Sequence, residues 1–392
     1  MLRAPKGEDL LRWLHLLSVG VDRGVVSRLL LAGLGPEDIL GASAKDLRRR
    51  HGLTTRQADA VRAPVPHALL SGQAEAMERH GMELIPIGSA RYPQNLFEMP
   101  TPPPALFVKG ELSTDDRLSI GMVGPRMATH YGIQMAERLA RGFAPVMTVV
   151  SGAALGVDSA AHETVLEAGG RTIAVCGCGL DVDYPPANAP LRRRIAEGGG
   201  ALLSIFPPGT RPLPGNFPIR NHVLAGLSLA VIVVEASARS GALVTARAAA
   251  DEGRPVYAVP GDATRRNSEG SNNLLRQGAI ACTSAQDVLQ DLEGLLEDEL
   301  ARLQERRASE APKDPGTATP DGTEKPPLPA MGTSGAEAIL LREIQHSAIS
   351  HDELIGRLVP ETMSLGELST ALLMLEMNGK IRQLPGRIYN PA

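Results

Sequence analysis

Aromatic side chains are nearly missing from this chain: one Trp, five Tyr and five Phe make up 3% of its 392 residues. That excludes a broad stacking platform, so a nucleic-acid site here has to lean on charge and backbone. Lysine is as scarce. Only six of the 40 cationic residues are Lys, which leaves 34 Arg. A GC-rich genome is the plainer source of that bias, yet each Arg still brings a planar fork suited to phosphate. Three cysteines are too few for a disulfide scaffold. Cys176 and Cys178 stand two apart, the wrong spacing for a zinc knuckle, and read as small core residues. Neither a signal peptide nor a run of about 18 apolar residues is present, so the expected location is cytoplasmic, away from membranes. The net charge of −4 rules out a global basic field for steering polyanions. Residues 117–260 lean mildly the other way, with 13 Arg and no Lys against 10 Asp plus Glu.

What is there is strongly patterned. Residues 1–85 have apolar positions at three- and four-residue spacing, punctuated by Gly20, Gly33, Gly35 and Gly52. Short helices joined by glycine turns predict a small SAM-like or helix-hairpin-helix-like domain. The hairpin form would allow a non-specific DNA contact, and a plain interaction bundle fits equally well. A Pro-rich stretch, 93–110, bridges to the centre. From there "LSIGMVG", "VMTVVSG", "RTIAVCG", "ALLSIF", "AVIVVEA" and "PVYAVPG" alternate with Ala-rich helical stretches. These strands are continuous apolar runs, the signature of strands buried on both faces. The expected architecture over 86–300 is an α/β, extended Rossmann-like, doubly wound and mostly parallel sheet. Residues 301–335 are polar and rich in Pro, Gly and Thr, and predict a disordered linker. Residues 336–392 follow the helix, helix, helix, hairpin order of a winged helix, with Ser350 and Ser364 as N-caps. Its recognition helix, near 364–377, carries no Arg or Lys, which counts against reading a major groove.

The loops at the strand ends carry the chemistry. "GMVGPRMATHYG" (121–132) runs a strand into Gly124, Pro125, Arg126 and Thr129 before a helix, the way α/β folds build an anion site. Its glycine spacing is not that of a dinucleotide turn, and the next strand ends at Ser151 without an acid to hold a ribose. "SGAALGVDSAAH" follows with Ser151, Gly152, Asp158 and His162. Then come "CGLDVDYPPAN" (178–188), "NFPIRNHVLAGLS" (216–228) and "EASARSGALVTARAAADEG" (235–253).

In order and spacing these loops resemble the DNA-processing protein A (DprA/Smf) family, closely over about 80–290 and loosely at both ends. The resemblance implies a dimeric, Rossmann-like single-stranded DNA-binding protein of natural transformation and DNA recombination. Such proteins protect incoming strands and load the RecA recombinase on them. Single-strand-binding protein is a further possible partner, and the resemblance brings no cofactor, no metal and no established catalysis. It carries DNA-binding roles onto Gly124, Arg126, Thr129, Ser151, Gly152, Arg171, Phe217, Arg220, Asn221, Ser240 and Gly241. Departures from the family pattern fall at Pro125, which removes one N–H donor, at Ile205 in place of an acid, and at His222 in place of an arginine. The helices after "FPIRN" and in "SGALVTARAAADEG" are the expected dimer face.

Two other readings compete. A nucleotide-processing hydrolase or transferase would use Asp158, His162 or Glu235. No nucleophile elbow accompanies them, so a hydrogen-bonded Asp158–His162 pair and helix capping by Glu235 and Ser240 are the plainer expectations. A sequence-specific regulator acting through the wing is the third, weakened by the uncharged helix. "LRRRI" (191–195) reads as a solvated face.

Overall fold

The computed structural model describes residues 4–310, 335–344 and 349–358, together with 363, 368, 371–372, 374–376, 380–384 and 388–391. It divides into two compact units, Met1–Ala285 and Gln286–Ala392.

The first unit opens with six helices: α1 (Gly7–Ser18), α2 (Arg23–Leu31), α3 (Pro36–Gly41), α4 (Ala44–His51), α5 (Thr55–Val61) and α6 (His67–His80). Asp22, Ser43 and Thr54 side chains accept from the first-turn N–H groups of α2, α4 and α5. Gly52 and Gly81 end α4 and α6 in the left-handed conformation that suits glycine. Leu16, Val26, Leu29, Ile39, Leu47 and Leu53 form the core of this bundle. The bundle is not a free-standing domain of residues 1–85. Trp13, Leu14, Leu70 and Met77 share a second core with Phe107, Leu191 and Ile195. Ser27 Oγ donates to the Pro102 carbonyl at 2.6 Å, and the Arg23 guanidinium lies 4.8 Å from the Phe206 ring centre. Residue 85 itself falls inside the first strand, β1 (Met82–Pro86).

Two strands come from chain read as bridge or boundary, β1 and β2 (Ala105–Gly110), with the short helix α7 (Gln94–Phe97) between them. They pair antiparallel with each other, and β2 pairs antiparallel with the strand Ala201–Ser204. The remaining elements alternate as predicted: β3 (Ser119–Val123), α8 (His130–Phe143), β4 (Thr148–Ser151), α9 (Val157–Glu167), β5 (Thr172–Cys176), α10 (Ala189–Glu197), β6 (Ala201–Ser204), α11 (Asn216–Leu227), β7 (Ala230–Val233), α12 (Gly241–Asp251), β8 (Val256–Ala258), α13 (Glu269–Arg276) and β9 (Ile280–Ala281). The sheet order is β1-β2-β6-β5-β4-β3-β7-β8-β9, parallel from β6 through β9. Its inner strands are buried on both faces, with Val149, Val150, Ile173, Val231 and Val233 fully enclosed, which explains their unbroken apolar runs.

The order turns at β3. The chain steps outward through β4, β5 and β6 on one side, then returns to lay β7, β8 and β9 on the other. The carboxyl ends of β3 and β7 therefore flank a topological switch point, where open α/β sheets leave a crevice.

The helix α14 (Ala285–Asp291) leads into the second unit, which contains α15 (Glu293–Glu310), α16 (Gly335–Ile344), β10 (Ile349–Ser350), α17 (His351–Leu358), β11 (Ile381–Leu384) and β12 (Ile388–Pro391). The helix α15 takes in residues 301–310, which the composition assigned to the linker. Its Glu-, Leu- and Arg-rich sequence favours helix, and Arg302 pairs with Glu299 at i, i+3. Residues 311–334 of the expected linker lie outside the described residues. Three strands in the order β10-β12-β11 pack with helices around Leu340, Leu354, Leu368, Leu375 and Tyr389. Ser350 directly precedes α17, as an N-cap should, whereas Ser364 lies outside the described residues. No helix among the described residues is long and apolar enough to cross a membrane.

Candidate nucleic-acid interface

Each loop at the carboxyl end of the sheet is fixed by close backbone approach. A side chain on Gly124 would overlap Val157, so the loop after β3 lies directly on α9. Gly156 has φ +80°, and a Cβ there would strike the Pro125 carbonyl oxygen. Thr129 caps α8, its Oγ1 accepting from Gly132 N–H at 3.1 Å. Thr129 also donates twice to Glu235 from the loop after β7: Oγ1 at 2.6 Å and the backbone N–H at 3.0 Å. Glu235 thus ties the two walls of the switch point together. It was expected to cap the helix that follows it, and that task falls to Ser240 alone, which accepts from Ala242 N–H at 3.2 Å.

Arg220, on the inner face of α11, forms the floor. It is 6% exposed, and its Nη1 donates to the carbonyls of Gly152 (2.6 Å) and Val175. Its Nε donates to Asn221 Oδ1 at 3.0 Å. Asp158 sits close by, its carboxyl raised above the usual range by burial and pulled back by the Arg220 charge. A side chain on Gly152 would overlap both Arg220 and Asp158. So Arg220, through Nη1, fastens β4, β5 and α11 to one another. Ser151, equally buried, donates to the Met122 carbonyl at 2.7 Å.

Above this floor lies a cleft of ≈ 280 Å³ lined by Gly124, Arg126, Phe217, Asn221, Ser240 and Gly241 among others. A neighbouring recess of ≈ 160 Å³ is bounded by Arg126, Cys176, Gly177, Tyr184 and Phe217. Arg126 is exposed and faces no carboxylate within ion-pair distance among the described residues. Its guanidinium lies 5.2 Å from the Phe217 ring centre and 5.8 Å from that of Tyr184, and donates to Tyr184 Oη at 3.2 Å. The two rings are 5.6 Å apart at 44°. The helices α8 and α12 both begin at this edge, α8 after Thr129 and α12 after Ser240, adding their positive ends to the field. A lone unpaired fork, propped on two rings and facing helix starts, is built to take an anion.

Nine of the eleven residues expected to contact DNA therefore surround this cleft or brace it, and Ser151 lies beneath. Arg171 does not belong. It precedes β5, about 16 Å of strand from Cys176 at the cleft end. There it pairs with the buried Asp116 at 2.6 Å and donates to the carbonyls of Glu111 and Gly199. The reading of "LRRRI" as solvated is also revised in part: Arg192 is 2% exposed and donates to the Val182 carbonyl at 2.6 Å. Nothing in the sequence of the loop 178–188 marks Tyr184 for a role. Only the fold brings that ring against Phe217. Arg239 was also passed over. It sits exposed next to Ser240, and the only signal was its place just before the helix cap.

Asp158 and His162 do not form a pair. Thr172 Oγ1 donates to the Val149 carbonyl at 2.6 Å and so accepts from His162 Nδ1 at 2.7 Å, while Asp158 accepts from Ala154 N–H. Burial, helped by the Arg220 charge, pushes the His162 pKa down to about 3. The unfolded imidazole titrates near 6.5, so it takes up a proton below that pH while the folded one stays neutral. Stability is therefore full above about pH 6.5 and falls toward pH 3, by about 2 kcal/mol from this group at pH 5. The expected result is that His162→Gln shrinks the loss of stability between pH 7 and pH 5 by that amount in urea unfolding. An unchanged pH dependence would contradict it. Cys176 and Cys178 are buried thiols, that of Cys178 pushed up to about 12 by burial. Among the described residues no group of three or more His, Cys, Asp or Glu could hold a metal ion.

Comparison with known proteins bears on this geometry. The family model described as "DNA recombination-mediator protein A" matches residues 83–293, and a DprA winged-helix model matches 324–387. The chain belongs to the DNA recombination-mediator protein A family. It is 40% identical over 247 residues to the Smf protein of Escherichia coli, covering 62% of this chain and 65% of that protein, just under two thirds. It is 35% identical to the Smf protein of Synechocystis, covering 76% and 77%. The crystal structure of DprA from Streptococcus pneumoniae superposes with a TM-score of 0.62 at 34% identity, covering 71% of this chain and 97% of that one. The family match spans every loop of the cleft, from Gly124 to Gly241. The Rossmann-like sheet agrees with what the loop motifs implied, and the winged-helix match agrees with the element order read over 336–392.

Proposed function

We propose that this chain binds single-stranded DNA in the switch-point cleft and acts in DNA recombination and natural transformation, protecting the strand and loading the RecA recombinase on it. The observation that carries the reading is Arg126: a solvent-facing guanidinium without a carboxylate, held over Tyr184 and Phe217 at the mouth of the cleft. In this mechanism Arg126 pairs with a backbone phosphate, the starts of α8 and α12 add N–H donors, and one base stacks against the Tyr184–Phe217 pair. One stacked base contributes about 1–3 kcal/mol, enough to favour an unpaired strand over a closed duplex. Glu235 and Thr129 act as positioning residues that hold the cleft walls. A homodimer would join two such clefts into one path, and single-strand-binding protein is a further partner of the same reading. Membership in a recombination-mediator family supports the RecA step. Asp158, His162 and Glu235, the groups an enzyme would use, are all engaged by protein partners, which favours binding over turnover.

Fluorescence anisotropy of labelled oligo-dT across a salt series tests the cleft. Arg126→Ala is expected to weaken binding at least tenfold and to lower the salt slope by about 0.7, the share of one single-strand phosphate. Phe217→Ala should cost about 1–3 kcal/mol with an unchanged slope, because stacking releases no counterion. No binding of oligo-dT at low salt, or binding indifferent to both substitutions, would sink the reading.

A further inference from the structure

The hairpin formed by α4 and α5 is the most basic short segment of the chain. Residues 44–62 hold six Lys or Arg against two Asp, a net of +4 in a protein whose total is −4. Leu47, Leu53, Ala58 and Val61 face the bundle core, which fixes the orientation of both helices. On α4, Lys45, Arg48 and Arg49 are spaced i, i+3 and i+4, so they share one face, about 100° to 160° round the helix from Leu47. All three are exposed, as is Arg56 in the first turn of α5. Arg50 pairs with Asp46 at 3.5 Å and Arg62 donates to the Ala42 carbonyl at 2.8 Å. Lys45, Arg48, Arg49 and Arg56 have no ion-pair partner among the described residues.

Local stability does not account for the whole set. Like charges at i, i+3 and i, i+4, as at Lys45, Arg48 and Arg49, are destabilising. The negative end of the helix dipole favours the arginines in the last turn of α4. It does not favour Lys45 in the first turn of α4 or Arg56 in the first turn of α5, where a cation is repelled. Lys45 opposes both local effects and Arg56 opposes the dipole; cations kept at such positions are explained by an external polyanion.

We propose that the α4–α5 hairpin is a second nucleic-acid surface, which holds the phosphate backbone of duplex DNA without reading its sequence. The helix α4 is about 12 Å long, a length over which a duplex presents about seven phosphate charges. Residues 44–62 contain no Phe, Tyr or Trp, so nothing there rewards an unstacked base, and the denser charge of the duplex is the better match. The surface is distinct from the switch-point cleft: the one takes a paired backbone by charge alone, the other an unpaired strand by charge and rings.

The test is anisotropy with a labelled 25-base-pair duplex and with oligo-dT, using the full chain and the variant Lys45→Gln/Arg48→Gln/Arg49→Gln/Arg56→Gln. Circular dichroism melting checks the fold, and Arg48→Gln/Arg49→Gln serves if the fourfold variant melts early. The fourfold variant is expected to lower the duplex salt slope by about 3.6, near 0.9 per lost contact, and the twofold variant by about half of that. Oligo-dT binding should change by less than about threefold, since its contacts lie at Arg126. Arg126→Ala should do the reverse, which separates failure of this proposal from failure of the cleft. A duplex slope unchanged in both variants would overturn it. So would an equal loss for oligo-dT, or displacement of the duplex by poly-glutamate at matched charge, which would mark a general anion surface.

Discussion

Arg220→Met is expected to destabilise the first unit by about 3–5 kcal/mol, the range for removing one partner of a buried charge network. Met preserves much of the methylene packing and removes the fork. The Gly152 and Val175 carbonyls then lose their donor, and Asp158 stays buried without the cation that lowers its pKa. The orphaned Val175 carbonyl adds most to the cost because it is buried. The check is urea unfolding followed through the transition of the first unit, with Asp158→Asn added to the Met variant. If the unpaired carboxyl is a main cost, the second substitution restores part of the loss, a coupling that a double-mutant cycle measures directly. A loss below about 1 kcal/mol for Arg220→Met would show that Arg220 is not the clasp of β4, β5 and α11.

Arg171→Met is the second large effect, and it separates two roles for one residue. The family resemblance implied that Arg171 binds DNA, whereas its contacts make it a brace at the opposite edge of the sheet. Asp116 is 4% exposed, and Arg171 supplies its buried counter-charge, so removal is expected to cost about 3–5 kcal/mol. Thr148 Oγ1 at 3.0 Å and Ser113 N–H at 2.7 Å remain to Asp116, which keeps the figure toward the lower end. Oligo-dT affinity of the folded protein should stay within about twofold, since no phosphate contact is lost. A tenfold loss of affinity with unchanged stability would restore Arg171 to the binding surface.

Much of the architecture was legible because it rests on local rules. Strands buried on both faces have to be continuous apolar runs, so β3 to β8 announce themselves as "VMTVVSG" or "AVIVVEA" do. The Ser240 cap was legible because it is chosen by the helix start itself. The strand β2 escaped because "ALFVKG" follows a Pro-rich stretch, and only its pairing with β1 and β6 makes it a strand. The helix in 301–310 escaped because the composition of the whole segment outweighed that of its first third.

The sequence by itself determined the alternation of strand and helix, the glycine-marked loops, the family and the presence of Arg126 and Phe217 near a strand end. Only the tertiary structure decided which arginine is free. Arg126, Arg171, Arg192 and Arg220 are the same residue type beside similar apolar runs. What separates them is how many buried carbonyls and carboxylates the fold aims at each fork. Three of the four are engaged by protein acceptors brought from 10 to 68 residues away. Such partners are set by the strand order, which no local pattern encodes. Arg126 meets two rings instead, and so its charge is left for a ligand.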